Sequence, residues 1–95
     1  MKKLDKLKRI KGYIIHCPTL TEATQLCSYL HINGYKWCDN ELYDSKNNWN
    51  VYKENTCYNP YNGTFARLDY YKAGRPEGYD YDFNIIDLKK FFEIV

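Results

Sequence analysis

The chain's 95 residues suffice for one packed domain and are too few for two. Aromatic residues make up 18% of it and tyrosine supplies 11 positions, so a small core can be built from few side chains with hydroxyls left for the surface. A charged fraction of 27% argues against wholesale disorder, and no apolar run reaches membrane-spanning length. A cytoplasmic chain with no membrane partner is expected.

The net charge of +2 hides an asymmetry. Residues 1 to 11 carry six cations (Lys2, Lys3, Lys6, Lys8, Arg9, Lys11) against Asp5 alone, and the rest of the chain carries eight cations against eleven anions. The expected organisation is therefore a basic N-terminal arm, 1–11, before a single domain, 12–95. Such an arm suits phosphate or membrane contact, and it equally suits a solvated leader with Leu4, Leu7 and Ile10 packed along one side.

In chain order, Arg9 to Cys17 reads as a first strand rich in Tyr and Ile, ended by Pro18, which has no N–H to donate. Thr19-Leu20-Thr21-Glu22 fits a capping box. Leu20, Ala23, Leu26, Cys27 and Leu30 then recur at helical spacing, predicting a helix over 20–32, and Gly34 supplies the left-handed stop. Tyr35-Lys36-Trp37 predicts a second strand with Trp37 turned to the helix. Residues 39–48 are polar and Asn-rich, a loop with an extended piece at Leu42-Tyr43. Trp49 to Lys53 predicts a third strand, continued at Thr56-Cys57-Tyr58, and Asn62-Gly63 is a hairpin signal. Phe65 to Tyr71 reads as a further strand, with a helical turn as the alternative. Residues 72–78 form a loop. Tyr79, Tyr81, Phe83 and Ile85 alternate with Asp80, Asp82 and Asn84, a half-buried strand, and Asp87 caps a terminal helix with Leu88, Phe91, Phe92 and Val95 inward. The sum is an α+β domain, β-α-β-β-β(-β)-α, with a mostly antiparallel sheet and helices on one face.

The chain has no phosphate-binding glycine loop, nucleophile elbow, H-E-x-x-H or EF-hand pattern. Cys17, Cys27, Cys38 and Cys57 form no close pair, so free thiols are expected, and neither a metal nor any other cofactor. A catalytic dyad would have to use His16 or His31; Cys17 with His31 could pair across the strand–helix junction as a thiol nucleophile, and a buried structural Cys17 is the plainer reading. The residues best suited to a ligand are Arg67 and Arg75 with Tyr70 and Tyr71, because guanidinium and aromatic faces together fit a phosphate plus a base. Lys36 and Tyr58 join them as candidate binding residues.

Ile14-Ile15-His16-Cys17-Pro18-Thr19, Gly34-Tyr35-Lys36-Trp37, Thr56-Cys57-Tyr58 and the Tyr-rich closing strand are together similar to small accessory proteins of phages and prophages of low-GC Gram-positive bacteria. The resemblance implies a non-catalytic protein that counters host immunity, as a possible homo-oligomer. It would do so by sequestering a nucleotide-derived signalling molecule or by obstructing a host defence protein. The alternative is a small nucleic-acid-binding accessory protein that uses the basic arm. An enzyme, thiol- or carboxylate-based, ranks third.

Overall fold

The computed structural model describes residues 9–73 and 82–95. Within them, strands β1 (Tyr13–His16), β2 (Thr56–Asn59), β3 (Thr64–Arg67) and β4 (Asn84–Asp87) form one sheet in the order β3-β2-β1-β4. β2 lies antiparallel to β1 and β3, whereas β4 runs parallel to β1. The helices among the described residues are α1 (Leu20–Ile32), α2 (Trp49–Tyr52), α3 (Leu68–Lys72) and α4 (Leu88–Ile94), with a 3-10 turn at Lys53–Asn55. This is the expected α+β domain with a mostly antiparallel sheet. None of these helices is long and apolar enough to cross a membrane.

The first strand is shorter than its composition suggests. Gly12, at φ +88°, and a bond from the Tyr13 N–H to the Ile10 carbonyl make residues 10–12 a turn, so the ladder starts only at Tyr13. Ile10 is 1% exposed and belongs to the main core, which carries the packed domain back into the arm expected over 1–11.

α1 begins at Thr19, whose hydroxyl accepts the Glu22 N–H and donates to the Glu22 carboxylate. It ends in a Schellman pattern: Gly34, at φ +84°, donates to the His31 carbonyl and Tyr35 donates to Leu30. Ala23, Leu26, Cys27 and Leu30 form its buried stripe, and Leu26 and Leu30 each contribute about 1.5–3 kcal/mol by leaving water.

The sheet register decides where every strand side chain goes. Ile86, Ile15, Tyr58 and Phe65 stand in one cross-strand row, facing α1 and α4. Ile14, Cys57, Ile85 and Ala66 belong to the opposite face, where Tyr71 of α3 packs with Leu68 and Phe83. Thus α1 and α4 share a face, as expected, and short α3 covers the other one. The hairpin β2–β3 turns where Asn62-Gly63 indicates, through a four-residue connection whose Asn62 and Gly63 N–H groups both reach the Asn59 carbonyl. Gly63 is required there twice over. Its φ is +70°, and a Cβ would stand 2.6 Å from the Cys38 nitrogen.

Two expected strands are absent. Trp49 to Lys53 is helical, because Asn48 at φ +61° turns the chain, Asn47 Oδ1 catches the Trp49 N–H, and Lys53 turns it again at φ +53°. Tyr35 to Trp37 makes only the single bridge Lys36–Leu42, since the Trp37 indole is held among Tyr43, Tyr58 and Phe65 and the Cys38 N–H is spent on Gly63. At the C-terminus Asp87 caps α4 through the Lys90 N–H, and Leu88 and Phe91 are buried as expected. Phe92 and Val95, expected inward, are exposed, Phe92 lying edge-on to Tyr29 at the helix seam. The strand expected from Tyr79 runs from Asn84, and Tyr79, Asp80 and Tyr81 lie outside the described residues.

Candidate functional site

β3 ends at Arg67 in extended geometry (φ −70°, ψ +152°), and the chain turns directly into α3. That turn brings the last side chains of an edge strand beside the first of a helix. Phe65 and Arg67 share a sheet face by the two-residue period, and α2 lays Tyr52 against both: its ring centroid is 5.7 Å from that of Phe65 and 5.9 Å from the Arg67 guanidinium carbon. Asp69 and Tyr70 close the other side. The result is an open groove of about 370 Å³ lined by Tyr52, Ala66, Arg67, Asp69 and Tyr70.

Arg67 Nε lies 3.4 Å from Asp69 Oδ1, and the arginine side chain stays 53% exposed. The terminal guanidinium nitrogens remain the donors for an anion, while the pair with Asp69, open to water, is a weak tether. Tyr70 is 44% exposed and rests edge-on against Tyr71 at 5.1 Å, so one ring offers a surface and its neighbour anchors it. A cation, two accessible aromatic rings and a shallow opening can hold a planar group by stacking and a phosphate by charge-assisted hydrogen bonds.

Of the candidate residues read from the sequence, Arg67 and Tyr70 meet in this groove. Tyr71 does not: it is 4% exposed, packed on Phe83 at 5.0 Å in the second core. Tyr58 is fully buried, and its hydroxyl donates to the Asn47 carbonyl at 2.6 Å, so it braces the loop from inside rather than facing a ligand. Lys36 is exposed on the bridge to Leu42, among residues that do not line the groove. Arg75 lies outside the described residues. Tyr52 and Asp69 were not legible as site residues. Tyr52 reads as a strand position, and only the left-handed turn at Asn48 and the helix after it bring its ring to Arg67.

The thiols and histidines are arranged differently from a nucleophilic site. Burial pushes the Cys27 and Cys57 thiols up to about 12, and Cys17 higher still, with Glu22 adding to the effect of burial. His31 Nε2 lies 3.2 Å from Asp44, and His16 Nε2 bonds the Glu54 carbonyl at 2.7 Å, so neither imidazole is engaged with a sulfur. Among the described residues no cluster of His, Cys, Asp and Glu could hold a metal ion. Compared with known protein families, curated proteins and solved structures, the chain matches none.

Proposed function

We propose that this chain is a non-catalytic binding protein that captures a nucleotide-derived ligand in the groove at the β3 edge. It acts in the host cytoplasm as a phage accessory protein of the kind its sequence resembles, withdrawing a defence signal. The observation that carries this reading is the Arg67 guanidinium over the Tyr52 ring at 5.9 Å beside exposed Tyr70, which offers one donor set for a phosphate and aromatic faces for a base. The protonated, interior state of three of the four thiols supports binding over thiol catalysis.

Isothermal titration of the full chain with AMP and ATP tests it. Saturable binding is expected, weakened roughly 10- to 100-fold by Arg67→Ala, since a hydrogen bond to a charged group is worth about 1.5–3 kcal/mol. Tyr70→Ala should weaken it several-fold with circular dichroism unchanged. Absence of binding to either nucleotide, or equal binding by both variants, would overturn the reading in favour of obstruction of a protein partner.

A further inference from the structure

We infer that residues 49–55 form a hinged strap that carries the Tyr52 ring onto and off Arg67, gating the groove at the β3 edge. The gating rests on ligand capture in that groove; the hinge itself is read from the backbone. The strap runs between two non-glycine residues of positive φ, Asn48 at +61° and Lys53 at +53°. Asn48, with ψ at +10°, occupies the left-handed well that asparagine tolerates. Lys53 lies outside that well, its ψ being −124°, where a Cβ clashes with the backbone and glycine is the residue that enters freely. Its side chain is exposed, so no burial offsets the strain.

Strain of this kind persists where surrounding bonds impose it, and here they clamp the strap at both ends. The Trp49 indole donates to the Cys17 carbonyl at 3.0 Å, and Thr56 Oγ1 donates to the Trp49 carbonyl at 3.2 Å. Past the hinge, His16 Nε2 bonds the Glu54 carbonyl at 2.7 Å. Between the clamps little is held. Neither α2 nor the 3-10 turn contains a buried residue, and Val51 is 54% exposed. Tyr52 is half-buried, its ring set against Phe65 at 5.7 Å and the Arg67 guanidinium at 5.9 Å.

Segments with few buried apolar contacts open locally at low cost, and relaxing Lys53 to negative φ adds to that tendency. Rotation about the Lys53 backbone turns what precedes it, Tyr52 first, relative to the clamped Glu54. The closed strap places Tyr52 as one wall of the groove. The open strap leaves Arg67 without its ring partner. A ligand that touches the Tyr52 ring favours the closed form and offsets the strain, so binding and closure are linked.

Hydrogen exchange of the full chain, followed by NMR at the Val51 amide, reads the opening, because that N–H donates to the Asn48 carbonyl within the strap. Lys53→Ala is the reference for loss of the side chain alone. Against it, Lys53→Gly should slow Val51 exchange roughly 10-fold by removing the strain, and Lys53→Val should speed it, since a β-branched residue fits positive φ worst. Low urea should leave the Val51 rate unchanged while the Leu26 amide in α1 exchanges faster, because opening a strap exposes little surface. In the unsubstituted chain, AMP at ten times its titrated Kd should slow Val51 exchange about 10-fold, the mass-action effect expected when only the closed strap binds. Equal Val51 rates in the Gly and Ala variants, or a Val51 rate that rises with urea in step with Leu26, would overturn the hinge. A Val51 rate indifferent to bound AMP would overturn the gating and leave nucleotide capture standing. Failure of AMP to bind at all would overturn capture and gating together, with the hinge still decided by the exchange series.

Discussion

At the scale of single residues, the four cysteines divide by environment rather than by sequence. Cys17, Cys27 and Cys57 are interior, their thiols held protonated by burial, while Cys38 is exposed beside Trp37 at a turn. The thiolate is the reactive form, so access and ionisation act together here. Native protein treated with Ellman's reagent at neutral pH should release one equivalent promptly, and the other three only after denaturant is added. Peptide mapping should place the first label on Cys38. Rapid reaction of two or more thiols in the folded protein would contradict this interior, and Cys38→Ser should remove the fast phase without changing the fold.

At the scale of elements, what the sequence discloses is what is settled within a few residues. The Thr19 cap, the Gly34 stop, the Asn62-Gly63 turn and the Asp87 cap all act over one helical turn or one hairpin, and each stands where its residues indicate. The helix α1 is thus fastened locally at both ends. Thr19→Ala removes the bond to the Glu22 N–H and should cost about 1 kcal/mol in urea unfolding, with an unchanged slope. An unaltered midpoint would mean the helix draws nothing from this cap. Other elements are settled at a distance. Trp49 has the composition of a strand residue, yet its indole donates to the Cys17 carbonyl 32 positions away, and that bond with the turn at Asn48 makes the segment helical. The parallel pairing of β1 with β4 joins Ile15 to Ile86, a partnership that no local pattern announces. The groove shares this property: Arg67 and Tyr70 stand out as an exposed cation and ring on one short stretch, whereas Tyr52 reaches them only through the long-range placement of α2. Tyr58 and Tyr71 misled for the converse reason, since tyrosine serves core and surface alike: sheet register turns Tyr58 inward, and the packing of α3 on the sheet buries Tyr71.

At the scale of the whole molecule, the basic arm and the acidic remainder offer a partner different chemistry, and the two proposed modes of binding differ in what they draw on. Nonspecific nucleic-acid binding draws on clustered cations and decays steeply with salt as counterions are released. Capture at Arg67 draws on one guanidinium and stacked rings, so it should depend weakly on salt. Trimming the chain separates the two, and the cut must spare Ile10, which is buried in the core. A chain lacking residues 1 to 8 loses Lys2, Lys3, Lys6 and Lys8 and keeps Arg9 and Lys11. By titration it should bind AMP as the full chain does, while fluorescence anisotropy with a generic DNA duplex should show any low-salt binding reduced and its salt dependence flattened. The reverse pattern, nucleotide affinity lost with the arm and duplex binding strong and salt-sensitive in the full chain, would move the function from the β3 edge to the N-terminus. The arm would then be the active element and the folded domain its carrier.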